Sequence, residues 1–525
     1  MPLEGKRIIL CLDGTWVNSD KGYNRPTAQD PNDSLAIPTN VTRVYRSLRK
    51  RGFDGESQVM YYHPGVGSTG GVSDSIAGGV FGTGVAENIR EAYSFVATNY
   101  EPGDEIILLG FSRGAFTARG VAALIDAVGL LNSDGMEMIY PIFKDAENME
   151  DPDYKDKFPT IPFPNKPRRP NSGKEYKRRL EESGLTRVYN PDGHRIKIRC
   201  IAVWETVGSL GIPNTNLGKK LHIPRSTKEC QFYDTCLSNT TEYAFQALAL
   251  DEDRTSFAPA VWERPEGVQT DLRQVWFCGA HSNVGGGLPD QELANVTMAW
   301  MMDQLTSIGV AFYDDTIDKI FERSVRYFFD HPHGSEAEGS SNSEQWRQWA
   351  DISVYDEHKP VRPWGLGEIV QPDTGFYRLA GKTTRTPGQY RRIDPETGKT
   401  TSRFLVNTNE RIHRSVRIRL DLGGLGFDDV GLYKCKALLK KGPWDLERVR
   451  AVVCRKIQDP DSDMGEVVEK FEDDRWGWIY AGPKEETPLQ TILMEEPLGP
   501  YEKRLLRLSK GRPFYRTLLE ESRRY

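Results

Sequence analysis

The chain of 525 residues contains no long hydrophobic run. No stretch approaches the ~20 consecutive apolar residues that a membrane-spanning helix needs. The opening MPLEGKRIILCLDGTW also lacks the apolar core and small-residue cleavage site of a secretory signal, since its apolar run extends only from Ile8 to Leu12. A soluble, cytoplasmic protein is expected. An excess of one charge is missing too: 75 acidic against 69 basic residues leave a formal net charge of -6, without the polycationic signature of a nucleic-acid binder. The cysteines are Cys11, Cys200, Cys230, Cys236, Cys278, Cys435 and Cys454, odd in number and without paired metal-ligand spacing. Most sit in apolar or strand-like contexts, so they read as buried thiols rather than as a disulfide framework or a zinc site. No metal and no cofactor are expected.

What is present is a core-forming composition, with 38% hydrophobic and 27% charged residues, on a chain too long for one small domain. Its most informative stretch is GDEIILLGFSRGAFTARG, Gly103 to Gly120. Ile106 to Leu109 form a continuous aliphatic run without period-two alternation, as in a strand buried on both faces of a parallel sheet. Gly110 and Gly114 flank Ser112 two positions away on each side, where a Cβ would clash in a tight strand-to-helix elbow. The small residues Ala115, Ala118, Ala122 and Ala123 then let a helix pack close to the sheet. The N-terminus of that helix faces Ser112, so an oxyanion formed in acyl transfer would meet backbone N–H groups and the positive end of the helix dipole. Arg113 is the expected first donor, and the Gly14-Thr15 turn the second. Arg113 and Arg119 side chains read as helix-surface or structural ion-pair partners rather than as a phosphate site.

Around this stretch, strand and helix alternate, which favours a mainly parallel sheet. Lys6 to Leu12 and Val59 to His63 read as strands, and helices are expected from Asn40 and from Ala86. Gly65 to Gly70 matches Gly-x-Gly-x-x-Gly, but glycines continue to Gly84 without a helix opening at the fingerprint, so a loop is favoured over a dinucleotide site. Residues 132–194 turn rich in proline and charge and read as an inserted cap. Lys166, Arg168, Arg169, Lys174, Lys177, Arg178 and Arg179 give it a local positive excess, read first as a solvated surface and second as a peripheral membrane contact. Arg195 to Trp204 is a strand ending at Glu205. Glu242 to Leu250 reads as a helix, Gln274 to Ala280 as a strand ending at His281, and Leu293 to Leu305 as a helix. Beyond about residue 331, Arg411 to Leu420 alternates as a strand would, and Trp346, Trp349 and Trp364 read as packing residues. The expected architecture is an α/β-hydrolase-like catalytic domain over 1–330, with a mainly parallel sheet flanked by helices, followed by an α+β accessory region over 331–525.

Acyl transfer needs a nucleophile, a base and an acid that orients the base. Ser112, Glu205 and His281 each follow a strand, in the order nucleophile, acid, base of an α/β-hydrolase. His63 is the nearest rival to His281. Asp13, Asp251 and Asp253 are alternative acids in plausible turns, and Glu205 must sit about one methylene further back than an Asp would.

Four ordered blocks carry a family resemblance: Cys11 to Trp16, Gly110 to Phe116, Val203 to Gly211 and Trp276 to Gly287. The chain resembles the uncharacterised α/β-hydrolase group (DUF2235) that includes phospholipase effectors of the bacterial type VI secretion system. The resemblance spans roughly Lys6 to Gln304. It implies Ser112 as nucleophile and His281 as base, acting on small-molecule or lipid esters. The family usually carries Asp where this chain has Glu205 and Asn283, which leaves a catalytically inactive ligand-binding or interaction protein as the alternative reading.

Overall fold

The computed structural model describes residues 5–14, 23–24, 34–35, 37–65, 80–148, 154–167, 172–207, 235–330, 362–370, 381–394, 400–439, 443–458 and 466–509. Aliphatic runs from distant parts of the chain meet in one ten-stranded sheet. Its strands are β1 (Lys6–Leu12), β2 (Ser57–His63), β3 (Glu105–Phe111), β4 (Ile198–Trp204), β5 (Thr241–Ala249), β6 (Asp271–Phe277), β7 (Glu410–His413), β8 (Trp444–Gln458), β9 (Glu466–Tyr480) and β10 (Ile492–Glu496). The spatial order is β2-β1-β3-β4-β5-β6-β7-β10-β9-β8. Neighbours run parallel from β2 as far as β10. A β8–β9 antiparallel hairpin closes that side.

Parallel strands need crossovers, and here the crossovers place helices on both faces. Ile8, Leu10, Ile106 and Leu108 point to one face, where they pack with Ile89, Tyr93 and Val96 of α2 (Val80–Asn99) and Ala118 and Val121 of α3 (Arg113–Val128). Ile9, Cys11, Ile107 and Leu109 point to the other, against Val41 and Val44 of α1 (Asn40–Ser47) and Trp300 and Met301 of a helix at Glu292–Thr306. Each such aliphatic side chain, fully withdrawn from water, contributes on the order of 1.5–3 kcal/mol. The serine strand β3 is buried along six of its seven residues. α1 is N-capped by Thr39, whose hydroxyl accepts from the Thr42 N–H.

Three expectations change. Residues 242–250 are not helical but belong to β5, which pairs with both β4 and β6. Phe245, Ala247 and Ala249 pack on one face, while Ala244 and Leu248 pack on the other. Apolar residues on both faces imitate helical spacing. Residues 411–420 are not a strand throughout: β7 ends at His413, and a helix runs from Arg414 to Asp421. Its arginines are buried, Arg414 and Arg417 on Glu495 and Arg419 on carbonyl oxygens of Gly365, Gly367 and Leu425, so the sequence shows no polar face. Finally, α2 begins at Val80 and takes in part of the expected glycine loop; Val66 to Gly70 lie outside the described residues.

The insertion is closed at its base by pairing of Leu130–Leu131 with Thr186–Arg187. It carries α4 (Ile139–Asn148) and α5 (Ser172–Glu182), whose Ile142, Phe143, Tyr176 and Leu180 join the core beside α2 and α3. The region after residue 330 shares the same sheet, and Ile412, Trp444, Trp478 and Leu493 form one core with Leu248 and Trp276. Trp364 is fully buried, whereas Trp346 and Trp349 fall outside the described residues. Among the described cysteines, Cys11, Cys200, Cys278 and Cys435 are buried free thiols and Cys236 is an exposed one.

Candidate active site

The chain reverses direction at Ser112, between the end of β3 and the first residue of α3, Arg113. Ser112 adopts φ 57 and ψ -119, a conformation that costs a non-glycine residue about 1–3 kcal/mol. The flanking glycines permit it. A Cβ on Gly110 would lie 2.5 Å from the Gly114 carbonyl oxygen, and one on Gly114 would lie 2.0 Å from that of Leu12. The Ser112 N–H donates to the Trp204 carbonyl at 3.1 Å, which ties the elbow to the end of β4.

The residue after Trp204 is Glu205, which also has positive φ, 47°. It is 1% exposed. Its Oε1 accepts the Ala249 N–H at 2.7 Å, and its Oε2 lies 3.2 Å from His281 Nδ1. His281 follows β6 and opens α6 (His281–Gly285). The imidazole is held between Phe111, with ring centroids 4.7 Å apart, and Phe257, edge-on at 4.9 Å. Phe111 immediately precedes Ser112, so the strand ends bring Ser112, Glu205 and His281 to one edge of the sheet.

Two groups absent from the sequence-based set complete the surroundings. Arg385 is buried and donates through Nη2 to Glu205 Oε2 at 3.0 Å and to the Phe257 carbonyl at 2.8 Å. Glu252, itself paired with Arg254, accepts the His281 backbone N–H at 3.3 Å. Burial would raise the Glu205 carboxyl, but Arg385, then His281 and the Ala249 amide, hold it below its usual range. Glu252 is likewise held low against the pull of burial, mainly by Arg254. No strand end or glycine turn marks Arg385 in the sequence; only its contact with Glu205 brings it to the site.

The remaining expected residues have other partners. Asp13 accepts from Thr39, Thr42, Tyr62 and the Gly14 N–H, and burial pushes its carboxyl up despite them. It therefore clamps the β1 turn. The Gly14 N–H is directed at Asp13, although a Cβ on Gly14 would come within 3.2 Å of Ser112 Cβ. Thr15 lies outside the described residues. Asp251 accepts from Tyr433 and the Gly279 N–H, and Asp253 pairs with Lys382. Asn283 accepts the Ala280 N–H at 3.1 Å, capping α6, and donates to the Glu368 carbonyl. His63 pairs with Glu91 at 2.9 Å. Arg119 is buried, donating to the Ala260 carbonyl and lying over Trp262.

Four of the basic residues in the insertion are engaged by neighbouring groups. Lys166 lies between Asp145 and Asp156, Lys177 donates to the Asp126 carbonyl, Arg178 is flanked by Glu175 and Glu182, and Arg179 donates to carbonyls of Pro164 and Asn165. Arg168 and Arg169 lie outside the described residues. Among the described residues no helix is long and apolar enough to cross a membrane, and no group of His, Cys, Asp and Glu is arranged to hold a metal ion.

A mainly parallel sheet with helices on both faces, a serine elbow and a strand-end Glu–His pair define an α/β-hydrolase-like protein. A family model described as "T6SS, Phospholipase effector Tle1-like, catalytic domain" matches residues 6–304, and the chain belongs to this family. An uncharacterized protein of Saccharomyces cerevisiae is 29% identical over 266 residues, covering 48% of this chain and 32% of its own length. Among solved structures, the Tle1 effector bound to the VgrG spike of the type 6 secretion system is 19% identical, with a TM-score of 0.26, covering 55% of this chain and 52% of that one. An uncharacterized protein from Pseudomonas aeruginosa is 13% identical, with a TM-score of 0.34, over 66% of this chain and 57% of its own. The chain thus matches about a third of the yeast relative and little more than half of either solved chain.

Proposed function

We propose that this protein is a serine hydrolase that cleaves carboxylic esters of lipids, phospholipids among them, through an acyl-enzyme on Ser112. The observation that carries this reading is the buried Glu205–His281 contact at the strand ends beside the Ser112 elbow. An ionised carboxylate only accepts hydrogen bonds, so Glu205 places the imidazole proton on Nδ1 and leaves the Nε2 lone pair to act as base. His281 Nε2 would take the Ser112 Oγ proton as the oxygen attacks the ester carbonyl, then return it to the departing alcohol. A water molecule, activated by the same nitrogen, would release the acid. The N-terminal end of α3, at Arg113, would stabilise the intermediate oxyanion. The lipid substrate class is drawn from the family description.

Both departures from the family pattern are compatible with catalysis. Glu205 spans the extra methylene to His281, and Asn283 serves as a helix cap. The test is labelling by a fluorophosphonate together with turnover of p-nitrophenyl esters and release of fatty acid from phospholipid vesicles. Ser112→Ala should abolish labelling and reduce turnover to background. Well-folded wild-type protein that neither labels nor turns over any of these esters would instead establish the non-catalytic alternative.

A further inference from the structure

The acid of this site is held by a part of the chain that the family's catalytic-domain match, residues 6–304, does not include. Residues 381–390 run alongside the loop that follows β5. Thr383 N–H donates to the Asp253 carbonyl at 2.7 Å, Thr255 N–H donates to the Gly381 carbonyl at 3.2 Å, and the Thr255 and Thr383 hydroxyls are 2.9 Å apart. Lys382 pairs with Asp253. At the far end, Tyr390 stacks on Trp276 of β6, and the Gly388 N–H donates to Glu410 of β7. These anchors deliver Arg385 inward, where it reaches Glu205 Oε2 and the carbonyl oxygens of Phe257 and Glu252.

We propose that Arg385 is a positioning residue for ester hydrolysis: it fixes the Glu205 carboxylate, in its ionised form, against His281. This rests on the reading of Ser112, Glu205 and His281 given above. A carboxylate at 1% exposure has lost its hydration, and a neutral imidazole alone supplies no countercharge. A guanidinium remains charged at every working pH, and its planar fork reaches several acceptors at once. It therefore restricts the longer Glu side chain as well as neutralising it. Among the described residues, the other charged and titratable groups at this spot are Glu252, which accepts the His281 N–H, Arg254, which pairs with Glu252, and Tyr390, near the guanidinium. Removing Arg385 takes away the guanidinium charge beside Glu205 and lets burial raise its carboxyl, so that it would take up a proton at higher pH.

The experiment uses the full-length chain and a p-nitrophenyl ester, with Arg385→Gln, Arg385→Lys, Glu205→Gln and the Arg385→Gln/Glu205→Gln double variant. Arg385→Gln should lower kcat roughly 10–100-fold, the range found for outer partners that orient the ligands of metal sites. KM should stay nearly constant, and the acidic limb of the pH–rate profile should move to higher pH. Arg385→Lys, which keeps the charge but not the fork, should restore the limb and only part of kcat. In the Glu205→Gln background, Arg385→Gln should add little, because the two residues act as one unit. Unchanged kcat and pH profile in Arg385→Gln, or full additivity with Glu205→Gln, would overturn the proposal. If Arg385→Gln does not fold, wild-type kcat in Arg385→Lys overturns the positioning role. Failure of the underlying site is separately visible, as activity retained by Ser112→Ala.

Discussion

At the scale of single residues, the carboxylate matters most. Glu205→Gln preserves the shape of the side chain but places an amide opposite His281 Nδ1, which favours the wrong tautomer. The expected loss in kcat is on the order of 10³–10⁴-fold, with fluorophosphonate labelling slowed in parallel. Residue type and contact alone do not distinguish this pair. Ser415, His413 and Glu502 also form a hydrogen-bonded chain, with His413 Nδ1 2.8 Å from Ser415 Oγ and Nε2 2.6 Å from Glu502. All three are buried, and burial pushes the imidazole down to about 3, as suits a neutral structural histidine. Asp251, at the end of β5, offers a second residue-scale test. Burial raises its carboxyl from 3.8 to about 6, so it favours folding while protonated, and that contribution is lost as the pH rises from about 4 to about 6. Asp251→Asn should flatten the pH dependence of stability in that window by about 1–3 kcal/mol, measured by urea unfolding at several pH values.

At the scale of elements, the elbow is the most constrained piece. Gly114→Ala would drive a methyl into the Leu12 and Asp13 carbonyl oxygens, 2.0 and 2.5 Å away, and would push α3 off β1. A stability loss of roughly 1–3 kcal/mol is expected by denaturant unfolding, accompanied by reduced labelling of Ser112. This element was legible from residues 103–120 alone because every part of it is local: aliphatic strand, flanking glycines, small-residue helix. β5 was not, since Tyr243, Ala244, Ala247 and Leu248 satisfy both periods and only the neighbouring strands decide between them. The helix at Arg414–Asp421 was hidden for a related reason. Its arginines read as solvent-facing until Glu495, more than seventy positions later, is brought beside Arg414 and Arg417.

For the whole molecule, the sheet runs through the expected boundary at residue 330. The side of β6 that β7 covers, and the core of Leu248 and Trp276, depend on strands drawn from residues 410–496. A chain ending at residue 330 should therefore be poorly soluble and unlabelled by fluorophosphonate, assayed by soluble yield and gel fluorescence. The order of Ser112, Glu205 and His281 along the chain could be read in advance because each closes a strand of the same parallel half. Arg385 could not, because its role depends on a long-range meeting between a loop after β5 and a segment 180 residues beyond Glu205.

That separation also orders events during synthesis. When a growing chain has left the ribosome as far as Gln304, it already contains the Ser112 elbow, Glu205 and His281. The guanidinium that meets Glu205, and the strand that covers β6, are still to be made. On the proposed reading, a nascent fragment of that length would hold its nucleophile before the charge that fixes its carboxylate is made, and the two halves of the site would come together only after the later segment emerges.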